Sequence, residues 1–191
     1  VGIDSLAGPS EVLIIADRQA NPTHIAADLL AQAEHDPLAA AILITTDRTL
    51  AISVQSAVET QLEHHPRKLL TEKSIAHYGL IIVVEDLNTA VELSNHFAPE
   101  HLELNITDPW ALLDRIRHAG AIFLGDSTPE AVGDYLAGPN HTLPTSGAAR
   151  YASALGVETF MKHSSLIQYS PAALSQVGNA IQALTQAEGL F

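Results

Sequence analysis

The chain has 191 residues, of which 47% are hydrophobic and 16% charged, a balance that excludes a disordered polyelectrolyte and leaves room for one folded domain with a small appendage. Acidic residues outnumber basic ones 22 to 9, for a formal charge of -13. Arg67-Lys68 is the densest basic point, so the counterion release that drives nucleic-acid binding has no basic cluster to work through.

Residues 11–16 form the first apolar, strand-forming run. Asn21-Pro22 then reads as an N-cap followed by proline at the first helical position. The helix is expected to carry Ile25, Leu29, Leu30 and Ala33, and to end by about Asp36, before Pro37. Residues 41–45 predict a second strand. Residues 47–62 predict a helix, with Leu50, Val54, Val58 and Leu62 recurring every four. Residues 80–84 predict a third strand and residues 86–96 a helix with Leu87, Val91 and Leu93 inward. Residues 101–105 alternate as a half-exposed strand should. Asp108-Pro109 opens a helix with Trp110, Leu112, Leu113 and Ile116 as its apolar positions, and residues 121–124 are the fifth strand.

This alternation predicts an α/β fold, an incomplete Rossmann-like layered structure around a mostly parallel sheet, with a small C-terminal helical appendage. Ligands of such sheets are expected beyond the carboxyl ends of the strands. Residues 125–147, rich in glycine and proline, read as a long functional or mobile loop. Residues 159–169 read as an extended arm, and Ser170-Pro171 opens a last helix bearing Leu174, Val177, Ile181 and Leu184. A domain boundary is placed at 155/156, giving a lobe over 1–155 and an arm and helix over 156–191. The apolar runs are too short to span a bilayer. Cysteine is absent, so any metal must be held by nitrogen and oxygen, and no thiohemiacetal can form here. No Gly-x-Gly-x-x-Gly or phosphate-cradling loop is present.

Three constellations can carry chemistry. Gln32 and His35 lie at i and i+3 on one helical turn, where an amide oxygen and an imidazole can bind a cation with little ordering cost; a solvated helix end is the plainer alternative. Glu100-His101, stiffened by Pro99, can form an acid/base pair if a turn aims both at one cleft; an exposed pair is the alternative. Asp134 follows Gly133 and can complete a metal site, or can simply bond its own backbone in a tight turn. Ser10 can hydrogen-bond a polar substrate or cap a turn, and His64-His65 reads as solvated surface.

Five stretches, in order, resemble the histidinol dehydrogenase family: Leu6-Ala-Gly-Pro-Ser-Glu-Val12, Asp28-Leu-Leu-Ala-Gln-Ala-Glu-His35, Asn95-His-Phe-Ala-Pro-Glu-His-Leu-Glu-Leu104, Gly120-Ala-Ile-Phe-Leu-Gly-Asp126 and Gly133-Asp-Tyr-Leu-Ala-Gly-Pro-Asn-His-Thr-Leu-Pro-Thr145. The resemblance implies oxidation of L-histidinol to L-histidine through histidinaldehyde, with zinc and NAD as cofactors. It implies a cytoplasmic (or plastid) homodimer that engages neither nucleic acid nor membrane. It makes Gln32, His35 and Asp134 zinc ligands and Glu100 and His101 the catalytic pair. Ser10, Gln32, His35, His101, Asp134 and Glu188 become substrate contacts. The NAD-binding part is expected outside this chain, as is a further zinc-ligand histidine from the dimer partner. The chain is therefore read as a carboxy-terminal portion cut at both ends and inactive alone. The alternatives are a non-catalytic metal module, a zinc dehydrogenase for another amino alcohol or a sulfonate, and a purely structural α/β partner.

Overall fold

A computed structural model describes residues 6–190, so the opening residues taken as a cut end, and Phe191, lie outside the described part. Five strands form one sheet: β1 (Glu11–Ala16), β2 (Ala40–Thr45), β3 (Gly79–Val83), β4 (His101–Asn105) and β5 (Ala121–Leu124). Their order is β3-β2-β1-β4-β5 and every pairing is parallel, with Val12 opposite His101 and Glu11 opposite Ala40. The helices are α1 (Pro22–Ala33), α2 (Arg48–Glu63), α3 (Lys68–Tyr78), α4 (Leu87–Phe97), α5 (Glu130–Tyr135) and α6 (Pro171–Ala187). The expected α/β class and parallel sheet are present, with the strands in the 3-2-1-4-5 order of the doubly wound Rossmann sheet.

The central strand explains the layering. β1 is buried along its whole length, as a strand covered on both faces must be. Val12 and Ile14 join Leu29, Leu30, Leu50 and Val54 of α1 and α2 on one face. Leu13 and Ile15 join Val91, Leu102 and Leu104 on the other. Helix starts follow side-chain caps. Asn21 accepts from the Thr23 N–H, Asp47 from Leu50 and Asp86 from Thr89, each such cap contributing about 1 kcal/mol.

Several expectations need correction. Helix α3 was not anticipated, because it packs through small polar groups. Thr71 and Ser74 are buried while Leu69 is exposed, and Ser74 Oγ donates to the Ala39 carbonyl. His65 is not plain solvated surface: its Nδ1 accepts from the Arg67 N–H beside α3. Residues 109–115 form a 3-10 helix with Trp110 exposed, and Leu93 is also exposed. The loop over 125–147 contains α5. Its end is tied down, with Thr145 Oγ1 accepting from the Gly8 N–H and donating to the Leu6 carbonyl. β4 is not half-exposed but buried at all five positions.

The described residues fall into two compact units divided between Thr159 and Phe160. In the second unit, α6 is capped by Ser170, whose hydroxyl accepts from the Ala173 N–H. Among the described residues, no helix is long and apolar enough to cross a membrane.

Candidate active site

Strand alternation puts His101, Glu103 and Asn105 on one face of β4 and sends Leu102 and Leu104 into the opposite core. Two helices face that polar side. α1 carries Asp28 and Gln32 four residues apart, and α5 carries Glu130 and Asp134 four residues apart, so each offers two groups on one stripe. The result is a buried polar seam with two levels. At the first, His101 Nε2 lies 3.8 Å from Asp134 Oδ1. At the second, Glu103 Oε1 accepts from the Glu130 N–H at 3.3 Å and Glu103 Oε2 from Asn105 Nδ2 at 3.3 Å. Asp28 also shares a hydrogen bond with Glu103. Between the levels, one end of the Gln32 amide lies 2.8 Å from Glu130 Oε2, where the nitrogen can donate once the amide is turned to face the carboxyl with it.

This seam corrects the expectation of a site beyond the carboxyl ends of the strands. His101 is the first residue of β4, Glu11 is the first of β1, and α1 runs back to deliver Gln32 and His35 at those same amino ends.

The acid–imidazole pair is held by the start of β1. The Glu11 N–H donates to Glu100 Oε2 at 2.9 Å, and the Glu100 N–H donates to Glu11 Oε2 at 3.3 Å. Glu11 Oε1 takes the Ser146 N–H at 3.0 Å. His101 Nδ1 sits 3.1 Å from the Glu11 carbonyl oxygen, which can only accept, so Nδ1 carries the proton. Nε2 is then a lone-pair nitrogen. It is buried and, among the described residues, has no hydrogen-bond partner. The entry to this turn is unusual: Ala98 caps α4 in the left-handed conformation, at φ 57°. Gly120 packs so closely on the next turn that a Cβ there would lie 2.6 Å from the Glu100 carbonyl oxygen.

Burial sets the charges. It pushes Glu100 up to about 7 and Glu130 up to about 8, in both cases helped by neighbouring carboxylates. It pulls His101 down, against the hydrogen bond to the Glu11 carbonyl and the nearby Asp134. Asp28 and Glu103, both raised by burial, share a seam too dry for two anions. His101 is thus a neutral base candidate and Glu100 is poised near neutrality. One ligand atom each from His101, Glu130 and Asp134 falls within 4.8 Å of the others, an arrangement able to hold a metal ion.

The histidinol dehydrogenase family model matches residues 1–191. The chain belongs to the histidinol dehydrogenase family. It is 76% identical over 190 residues to histidinol dehydrogenase 2 of Trichormus variabilis. It is 74% identical over 191 residues to histidinol dehydrogenase of Thermosynechococcus vestitus. Both alignments cover 100% of this chain and 44% of the relative. The crystal structure of histidinol dehydrogenase from Elizabethkingia anophelis superposes with a TM-score of 0.96 at 41% identity, over 100% of this chain and 44% of that one. The chain thus spans less than half the length of the histidinol dehydrogenases it matches.

Of the residues that the family resemblance singles out, the first unit brings several together. Gln32 is fully buried against Glu130. Asp134 faces His101, and exposed His35 is close enough to oppose a charge on His101. Ser10 bonds the Glu100 carboxyl. Glu188 belongs to the second unit, where it is the exposed C-cap of α6. The donor set fits a borderline metal such as zinc: imidazole, carboxylate and amide, without thiolate. The Nε2 of His101 sets a buried lone pair beside the same site. Three buried acids, Glu11, Glu103 and Glu130, and the half-buried Asp28 were missed from sequence. A signal existed, since Asp28 precedes Gln32 by four and Glu130 precedes Asp134 by four, each along one helix stripe.

Proposed function

We propose that this chain forms the catalytic and metal-binding half of an enzyme that oxidises L-histidinol to L-histidine through histidinaldehyde. The observation that carries the reading is the buried, unpartnered Nε2 of His101, 3.8 Å from Asp134 and one residue from a carboxyl near neutrality. Gln32, His35 and Asp134 are the residues assigned to zinc, with a further ligand supplied from outside this chain. When bound, zinc orients a substrate imidazole and amine so that the alcohol carbon is presented to a hydride acceptor. NAD supplies that acceptor, from a site outside these residues.

The chain's own groups then divide the proton work. His101, fixed by the Glu11 carbonyl as the Nδ1–H tautomer, accepts the alcohol proton at Nε2 as hydride departs. Glu100 takes a proton from the water that adds to the aldehyde. After releasing its first proton to solvent, His101 accepts again when the hydrated aldehyde loses its second hydride. No cysteine is present to offer a covalent route, so the water route is the one these residues can serve. Ser10 and Glu188 are assigned to substrate contact. A cytoplasmic homodimer is the assembly this reading implies.

The test is a chimera in which the matched 44% of the Trichormus variabilis relative is replaced by this chain. The reading expects two NAD molecules reduced per L-histidinol, with no turnover of sulfopropanediol. Preference for the sulfonate, or zinc uptake without turnover, would overturn it.

A further inference from the structure

Glu130 was not among the residues read as functional, yet it occupies the junction of the seam. It is 4% exposed and lies one helical turn before Asp134. Its main-chain N–H is bound by Glu103 Oε1 at 3.3 Å, which pins the first turn of α5 to β4. One end of the Gln32 amide lies 2.8 Å from its Oε2 and 3.3 Å from its Oε1, distances at which the amide nitrogen donates to both when that end is the nitrogen. Gln32 is fully buried and has the freedom to present either end of its amide. With Glu130 ionised, the reverse orientation would set the amide oxygen against two carboxylate oxygens. An ionised Glu130, as the neighbouring cation would favour, therefore decides which way the amide points.

We infer that Glu130 is a positioning residue that locks Gln32 with its amide nitrogen inward and its oxygen free for the cation, rather than being a ligand itself. The inference rests on the zinc-site reading above. An amide is a weak ligand with two nearly isosteric ends, and the wrong end donates hydrogens towards the metal. A fixed acceptor behind it removes that wrong state before any cation arrives, as outer partners do for ligating histidines. The i, i+4 placement of Glu130 and Asp134 lets one short helix supply both the amide's anchor and the proposed carboxylate ligand.

The experiment uses the chimeric full-length enzyme, with zinc affinity read by chelator competition and site geometry by the d–d absorption of the cobalt-substituted protein. Glu130→Leu, which keeps bulk but cannot accept, is expected to weaken zinc binding by about 10- to 100-fold. Glu130→Gln keeps an acceptor oxygen and is expected to rescue most of that loss. In a Gln32→Ala background, Glu130→Leu is expected to cost nothing further, since its target is gone. Circular dichroism identifies a variant that has not folded, in which case the Glu130→Gln and Gln32→Ala pair decides. Glu130→Gln as damaging as Glu130→Leu, with a changed cobalt spectrum, would make Glu130 a direct ligand and overturn the inference. So would losses that add with Gln32→Ala. Failure of the unmutated chimera to bind zinc would instead sink the site reading itself.

Discussion

The Nδ1–H of His101 donates to the Glu11 carbonyl at 3.1 Å, and this one bond turns the other ring nitrogen into an unpaired base in a dry site. A histidine with one nitrogen so committed is pre-set for proton abstraction. His101→Gln in the full-length context is expected to lower turnover by roughly a hundred- to ten-thousand-fold. Zinc content should stay unchanged, because His101 is assigned to proton transfer and not to the metal. Parallel measurements of NAD reduction and bound zinc check this, and loss of both together would reassign His101 as a ligand.

Glu100 predicts a pH profile. Burial raises its carboxyl to about 7, so it is neutral below that value and a proton acceptor above it. Oxidation of histidinaldehyde should therefore climb as pH passes through about 7. Glu100→Gln should lose that rising limb while leaving the alcohol step, assigned to His101, less affected. The two half-reactions can be followed separately by supplying alcohol or aldehyde.

Gly133 sets the distance between α5 and the sheet. A Cβ there would lie 2.6 Å from Cε1 of Phe123, whose ring sits 5.9 Å from the His101 ring. Gly133→Ala must push Phe123 or α5 aside, at a cost of about 1–3 kcal/mol. It should also move Asp134, the next residue, and weaken zinc binding. Phe123→Leu in the same chain should recover part of both losses, which melting curves and chelator competition would register.

Glu103 makes stability fall with alkali. Its folded-state pKa is raised from 4.5, chiefly by burial and then by Asp28 and Glu130. An acid of this kind contributes its full share below the unfolded value and loses it as pH rises towards the folded one. Metal-free protein should therefore melt at steadily lower temperature as pH rises from about 5 towards about 9. Glu103→Gln, which keeps an acceptor for the Glu130 N–H, should flatten that slope. An unchanged slope would mean that Glu103 is not the group responsible.

The sheet was legible in the chain because β1, β2, β3 and β5 are mostly apolar runs and the helices between them mostly begin at side-chain caps. Asn21-Pro22, Asp47 and Asp86 each open a helix that apolar spacing then continues. Where burial is polar, that logic fails. Helix α3 buries Thr71 and Ser74 and leaves Leu69 in solvent, so it has almost no apolar stripe to see. Helix α5 is short and sits among glycines and prolines that read as loop. β4 read as half-exposed because His101, Glu103 and Asn105 alternate with leucines, yet all three are buried in the seam. The residues of the candidate site were found through the family resemblance. Local spacing alone left Gln32, His35, Glu100 and Asp134 with ordinary alternatives, since their convergence depends on three elements distant in the chain.

Gln32, His35 and Asp134 are proposed to hold one cation beside the Glu100–His101 turn. Anomalous scattering at the zinc edge, from crystals of the zinc-loaded full-length chimera, tests it most directly. A single peak is expected about 2.0–2.2 Å from the Gln32 amide oxygen, an imidazole nitrogen of His35 and the Asp134 carboxylate. A peak bonded to His101 and Glu130 instead, or none at this site, would contradict it.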